Sequence, residues 1–171
     1  MKWRTIAIAT VVAVVVLAAA IGFNRSTQAQ TTNQLAGTYR LISDKQTVVA
    51  TGEFTEPLGK APQGYIMYGR DGRMMLLYLA DKRPKPSGVA TTTDQERIDL
   101  FKTMLAYSGT YDFDGKIVTH HIELSGNPAL AGTDQVRNVT LDGRRLVLKY
   151  TAPAPSTGVV SKAEVTLEKV D

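Results

Sequence analysis

The chain has 171 residues, no cysteine and a formal net charge of +4. The length fits one domain, and the absence of cysteine excludes disulfides, thiolate chemistry, cysteine-based metal sites and a lipidated N-terminal cysteine. Lys2, Arg4 and Arg25 lie near the N-terminus, and without them 17 basic residues face 16 acidic ones. The rest of the chain therefore lacks the cationic surplus that gives nucleic-acid binding its affinity, and we expect no nucleic-acid partner.

The N-terminal stretch has the pattern of a targeting segment. Two basic residues precede an uncharged apolar run at residues 6–23, and Thr27-Gln28-Ala29 offers a small-x-small cleavage site. The run just reaches the length of a spanning helix, about 18 residues. Residues 1–29 are predicted to be either a signal peptide or an N-terminal membrane anchor, followed by a polar spacer at residues 30–34. Both alternatives place the domain outside the cytoplasm, periplasmic or secreted, with membrane contact only through an uncleaved segment.

Alternating apolar and polar residues predict short β-strands in the first half of the domain. Residues 35–43 form the first, and residues 47–54 are β-rich and pair beside it. Residues 65–79 predict a hairpin that turns at Asp71-Gly72. Its second strand, residues 74–79, is apolar on both faces, so one face lines a core and the other needs a cover.

One helix is predicted at about residues 93–107. Thr93 and Glu96 have the spacing of a capping box, in which each side chain bonds a backbone N–H group of the other residue. Ile98, Phe101 and Leu105 follow at helical spacing. We expect this amphipathic helix to cover the outer face of residues 74–79.

Two further hairpins follow over residues 107–148, with turns at Asp114-Gly115 and Asp142-Gly143. Asp-Gly suits a two-residue turn in which both residues have positive φ. A loop at residues 151–158 leads to a last alternating strand at residues 162–170. Closing the last strand onto the first removes both exposed sheet edges. The sequence thus predicts an all-β fold, a small antiparallel up-and-down β-barrel of eight or nine strands with one packed helix.

Several motifs are spread along the domain: Leu35-x-Gly37-Thr38-Tyr39-Arg40-Leu41, Gly64-Tyr65-Ile66-x-Tyr68-x-x-Asp71-Gly72, Tyr107-x-Gly109-x-Tyr111, His120-His121-x-Glu123-x-Ser125-x-Asn127-Pro128 and Gly132-Thr133-x-Gln135-x-Arg137. They resemble those of the lipocalin-like domain proteins, which are β-barrels of the calycin kind, and the resemblance covers nearly all of residues 35–171. Tyr39 stands where the family usually has tryptophan, a residue that resembles a packing plug at the barrel floor. The resemblance implies a barrel with an interior for a small, largely apolar molecule, and it implies no single reaction.

His120 and His121 are the only histidines of the chain. Neighbouring residues of a strand face opposite sides, so the two rings cannot chelate one metal ion together, and we expect no metal. The apolar neighbours of His120 predict that it points inward. There it is either a hydrogen-bonded core residue, a ligand contact or a general acid or base.

Arg137 and Gln135 share a face of the following strand. If that face is interior, Arg137 is a buried cation that needs a partner. The partner is either a carboxylate of the protein, Glu123 or Asp134, or the carboxylate of a ligand. In the alternative, this face is exposed and Val136 and Thr140 lie inside.

The leading hypothesis is an exported protein that binds a small hydrophobic or amphipathic molecule in the barrel, without a cofactor. One alternative is an isomerase, cyclase or hydrolase that uses the same cavity, with His120 and Arg137 as catalytic residues. Another is a structural envelope-associated barrel without a ligand. The interior is expected to include Leu124, and the residues predicted to bind the ligand are Met67, Met74, Leu76, Tyr78, His120, Ile122, Gln135 and Arg137.

Overall fold

The computed structural model describes residues 34–153 and 158–170. The predicted leader and most of the predicted spacer lie outside the described residues, as do residues 154–157 of the last loop. Within the described part, no helix has the length and hydropathy needed to cross a membrane. The strands are β1 (Gly37–Val48), β2 (Phe54–Thr55), β3 (Gln63–Tyr68), β4 (Arg73–Leu79), β5 (Met104–Phe113), β6 (Ile117–Ser125), β7 (Asp134–Asp142), β8 (Arg145–Pro153) and β9 (Val160–Lys169).

These strands form a closed antiparallel barrel. The order is β2-β1-β3-β4-β5-β6-β7-β8-β9, and β9 also pairs with β1, which closes the sheet. Eight strands make the barrel wall, while β2 is an extra strand that pairs only with the end of β1. The predicted fold is confirmed. The inner faces of the eight wall strands contribute apolar side chains to one core, which includes Tyr39, Ile66, Val118, Leu146 and Leu167.

Tight turns close one end of the barrel, the floor. All three Asp-Gly pairs lie at hairpin ends there, and their glycines have positive φ, for example +100° at Gly115. No other residue type has positive φ among the described residues, so the prediction of positive φ at both turn positions was wrong. Asp114 instead closes its turn with its side chain, because Oδ1 accepts from the N–H groups of Lys116 and Ile117 at 2.8 and 2.7 Å.

Residues before β1 pack under the same floor. Tyr39 is fully buried and donates a hydrogen bond to the carbonyl of Leu35 at 3.1 Å. Lys169 Nζ donates to the carbonyl of Ala36 at 2.9 Å. Tyr39 therefore occupies the floor position at which the resemblance implies a packing plug.

The helix α1 (Asp94–Lys102) lies at the opposite, open end, which we call the mouth. Its capping box is present, with Thr93 N–H donating to Glu96 at 2.7 Å and Glu96 N–H donating to Thr93 at 3.3 Å. Arg83 holds the other end of α1 by donating to the Leu100 carbonyl at 3.1 Å and to Thr103 at 3.2 Å. The helix ends five residues before the predicted limit, because residues 104–107 belong to β5.

The prediction that the helix covers the outer face of β4 was wrong. Met75 and Leu77, on the outer face of β4, are exposed, and α1 has no buried residue. The outward side chains of β3 are also exposed, so cross-strand pairs such as Met67 with Met75 form an apolar strip on the surface. The helix borders the mouth instead of covering this strip.

Candidate ligand-binding site at the mouth of the barrel

Two β-bulges, one in β1 and one in β6, determine which side chains face the barrel interior near the mouth. The pairing of β1 with β9 shifts between Leu41 and Ser43, which makes Ile42 an extra residue. Beyond a bulge the alternation of the strand changes sides. Asp44 and Gln46 therefore follow Tyr39 and Leu41 on the buried face, where sequence reasoning did not place them.

The second bulge explains why one predicted interior residue lies outside. The pairing of β5 with β6 shifts between Ser108 and Gly109, which makes Glu123 the extra residue. Ile122 is buried as predicted, but Leu124 lies beyond the bulge and is 70% exposed. The prediction that Leu124 lines the interior was wrong.

The other predicted residues mostly lie on the inner face. Met67 is the exception, because it lies on the outer face of β3 and is 44% exposed, so its predicted place in the interior was wrong. Val136 is exposed and Arg137 is buried, so the face of β7 that carries Gln135 and Arg137 is the inner one. The roles of these residues as ligand contacts stay predictions. Those on the inner face are Met74, Leu76, Tyr78, His120, Ile122, Gln135 and Arg137.

His120 is fully buried between two tyrosines. Its Nε2 lies 2.8 Å from the hydroxyl of Tyr68, and its Nδ1 lies 2.9 Å from the hydroxyl of Tyr107. Burial, with a smaller contribution from the charge of Arg137, lowers the pKa of His120 to about 3. His120 is therefore a neutral ring with both nitrogens hydrogen-bonded, as expected of a satisfied core histidine.

Arg137 is 8% exposed and has no carboxylate partner within 4.0 Å among the described residues. It donates to the Val136 carbonyl at 3.1 Å and to Gln135 Oε1 at 3.3 Å. Its guanidinium carbon lies 3.8 Å from the ring centroid of Tyr150, a distance typical of a cation–π contact. Burial raises the pKa of the nearby Tyr107 phenol, and the charge of Arg137 opposes that rise.

Neither carboxylate predicted to neutralise Arg137 does so. Glu123 pairs with Arg73 on the outer surface at 3.4 Å. Asp134 accepts from His121 Nδ1 at 2.7 Å, also on the outer surface. Both carboxylates lie on the opposite side of the barrel wall from the guanidinium, so the prediction of a structural partner at Glu123 or Asp134 was wrong.

Two neighbouring spaces, which share lining residues, define the candidate site. The deep void, of about 30 Å³, lies inside the barrel and is bordered by Tyr78, Tyr107, His120, Arg137 and Leu148. The mouth cleft, of about 250 Å³, lies above it and is bordered by Leu58, Phe101, Lys102 and Met104. Asp44, Leu105 and Tyr150 line both spaces.

Polar groups border both spaces, with Tyr78 at the void, Gln46 at the cleft and Asp44 at both. The Tyr78 hydroxyl is a buried side-chain polar atom without a hydrogen-bond partner, and no other such atom occurs in the part of the chain that the structure describes. Burial raises the pKa of Asp44, against the opposing hydrogen bonds from Gln46 Nε2 at 3.3 Å to both carboxylate oxygens. The void has room for about two water-sized groups, and the cleft is slightly smaller than the lower limit of about 300 Å³ for ligand pockets.

The outer surface has two depressions that are weaker candidates for a ligand site. They have volumes of about 470 and 500 Å³, and each is more open to solvent than the mouth cleft. The first is bordered by Lys45, Lys149 and Lys162, and Lys149 is already paired with Glu164 at 2.9 Å. Neither depression contains the unpaired buried hydroxyl, so we take the mouth cleft and the deep void as the candidate site.

A closed antiparallel barrel with one open end is the architecture of a ligand-binding type of barrel protein. The model of the lipocalin-like domain family matches residues 36–170, and the chain belongs to that family. Among curated proteins, none matches the sequence.

Proposed function

We propose that this protein is exported and binds a small hydrophobic or amphipathic molecule at the mouth of its barrel. The observation that carries the proposal is the mouth cleft itself, which is bordered mainly by apolar side chains and shares lining residues with a void that contains an unpaired hydroxyl. An apolar pocket with a few convergent polar groups is the usual composition of a small-molecule site. Export is proposed from the N-terminal sequence, with its apolar run and small-x-small site.

A matched pair of tryptophan variants tests the ligand site. Leu105 lines both the cleft and the void, whereas Leu124 is exposed on the outer face. Titration with the neutral fluorescent probe N-phenyl-1-naphthylamine is expected to saturate at one probe per wild-type chain. Leu105→Trp fills the cleft, so we expect at least tenfold weaker binding, and Leu124→Trp should bind like wild type. Equal binding by the two variants contradicts the site.

The packed interior favours a second candidate function, a structural barrel without a ligand. The deep void alone is too small for an organic molecule, and most of the inner face is filled by the core. This candidate predicts no saturable probe binding to the wild type and no co-purifying small molecule in native mass spectrometry. The titration above therefore separates the two candidates.

Localisation has its own experiment. Fractionation of cells that produce the full chain, with N-terminal sequencing of the product, should find the domain outside the cytoplasm. A new N-terminus at Gln30 indicates cleavage, and retention of Met1 in a membrane fraction indicates the anchor. Recovery of the intact chain in the cytoplasm contradicts export.

A further inference from the structure

The apolar strip on the outer faces of β3 and β4 extends across the wall to β6. Tyr65 pairs with Leu77 in the strand register. Met67 pairs with Met75, and the same row of the sheet reaches Leu124 two strands further on. These five side chains, which we call the outer patch, range from 43% exposed at Leu77 to 70% at Leu124. A contiguous exposed apolar surface of this kind marks an interaction site.

The bulge in β6 adds Leu124 to the outer patch. Alternation from the buried Ile122 would turn residue 124 inward, and the extra residue Glu123 turns it outward instead. In an isolated barrel this change leaves a leucine in water without any gain in burial. The placement of Leu124 therefore favours a partner on this part of the outer wall.

The size of the outer patch matches what a pair of copies requires. A large side chain has about 200 Å² of surface, so five that are about half exposed leave on the order of 500 Å² in water. Contact between two such patches removes on the order of 1,000 Å², about the least that a specific interface buries. Tyrosine and methionine are enriched in protein interfaces, and flexible methionine side chains fill the gaps between two convex walls.

The charges beside the outer patch favour a second copy over a lipid surface. Arg40, the neighbour of Tyr65 on β1, pairs with Glu168 at 2.8 Å. Arg73 on β4 pairs with Glu123 at 3.4 Å. Anionic lipid surfaces attract clustered cations, and these two ion pairs supply no net charge. A two-fold contact places identical rims against each other, and a rim with both signs avoids repulsion between the copies.

We propose that the outer patch joins two copies of this chain in a two-fold symmetric dimer. In such a dimer the same surface serves both copies, so the contact closes and does not propagate into a filament. The contact lies on the wall of the barrel between β3 and β6 and leaves the mouth cleft of each copy open. The inference is therefore independent of the proposed ligand site.

A matched pair of charge variants tests the dimer. Met75 and Val136 are 52% and 53% exposed and lie on the outer faces of β4 and β7, three strands apart. Light scattering of the purified full chain is expected to give the mass of a dimer for the wild type and for Val136→Glu. Met75→Glu places two like charges in the contact, so its dissociation constant should rise about 100-fold or more. A monomeric wild type, or equal weakening by the two variants, overturns the inference.

Opposite charges distinguish a second copy from a lipid surface as the partner. An equimolar mixture of Met75→Glu and Met75→Lys should recover the dimer, because the charges of the two copies then attract each other. A mixture that stays monomeric overturns the inference. Monomeric wild type that co-sediments with vesicles of phosphatidylcholine and phosphatidylglycerol, when Met75→Glu does not, assigns the outer patch to a lipid surface and also overturns it.

Methionine oxidation in the wild type covers the case in which the Met75 variants do not fold. Dilute hydrogen peroxide converts exposed methionine to its sulfoxide. Met67 and Met75 should be oxidised several-fold more slowly in solutions above the dissociation constant of the dimer than in solutions below it. Met104, which borders the mouth cleft, is the internal control and should react at one rate in both. Oxidation of Met67 and Met75 at rates that do not depend on protein concentration overturns the inference.

Discussion

His120 and His121 are adjacent on β6, yet they lie on opposite sides of the barrel wall in opposite electrostatic environments. His120 is fully buried between the hydroxyls of Tyr68 and Tyr107. His121 lies on the outer face, with Nδ1 at 2.7 Å from Asp134 and Nε2 at 3.1 Å from Asp112. The same residue type at consecutive positions is therefore held neutral on one side of the sheet and favoured as a cation on the other.

The two rings should titrate far apart. Burial lowers the pKa of His120 to about 3, whereas hydrogen bonds to Asp134 and then Asp112 raise the pKa of His121 above 6.5. Nuclear magnetic resonance of the two imidazoles against pH is expected to show one ring that titrates above 6.5 and one that stays neutral down to about pH 3. Two rings with an ordinary pKa contradict the described environments.

His121 should also make stability depend on pH. Because its pKa is higher in the folded chain, its contribution is fully present below the unfolded value of 6.5 and is lost as pH rises through the raised folded value. Wild type should therefore exceed His121→Gln in stability at about pH 5.5, and the difference should disappear by about pH 9. Urea unfolding at both values measures it. A stability difference between the two proteins that grows as pH rises contradicts the raised pKa of His121.

Tyr78→Phe should stabilise the ligand-free barrel. Removing the unpaired hydroxyl relieves a desolvation cost of about 1–3 kcal/mol, part of which appears as added free energy of unfolding. Tyr111→Phe is the matched control, because the Tyr111 hydroxyl donates to the Gly69 carbonyl at 2.9 Å. The control should lose about 0.5–1.5 kcal/mol. Destabilisation of both variants by equal amounts shows that the Tyr78 hydroxyl is satisfied.

Gly109 is expected to tolerate no side chain. A Cβ at this position would overlap the backbone carbonyl of His121 on β6, at the bulge that turns Leu124 outward. Gly109→Ala should therefore destabilise the barrel by about 3 kcal/mol. A Cβ at Gly126 meets its nearest neighbours at 3.7 Å, so Gly126→Ala should change the free energy of unfolding by less than about 0.5 kcal/mol. Chemical unfolding of both variants checks the pair.

Regular alternation explains why much of the fold was predictable. Val118, His120 and Ile122 occupy alternate positions, and all three are buried as the pattern predicts. The capping box likewise marked the start of α1. Because β3 is apolar on both faces, the alternation of residue types does not show which face is the inner one. Met67 was therefore predicted to lie inside, although it lies on the outer face.

The part of the candidate site near the mouth was less predictable, because bulges interrupt the alternation of inward and outward side chains. Each bulge adds one residue, and no local composition marked the extra Ile42 or Glu123. For this reason the interior position of Asp44 was not predicted, and Leu124 was wrongly predicted to lie inside. Residues 104–106 were predicted as helix, although the alternation of Tyr107 with Tyr111 and Phe113 could have extended β5 backwards from Tyr107. The unpaired state of Tyr78 depends on long-range packing, which the order of residues does not display.

The seam between β1 and β9 determines how the barrel is presented to its surroundings. Leu35 and Ala36 are held by Tyr39 and Lys169 under the closed floor, so the polypeptide enters the domain at the pole farthest from α1. A support joined through the N-terminal side, whether a lipid bilayer or an affinity resin, therefore faces the floor. The entrance lies at the opposite end of the barrel, so a small molecule need not pass between the floor and such a support to reach it.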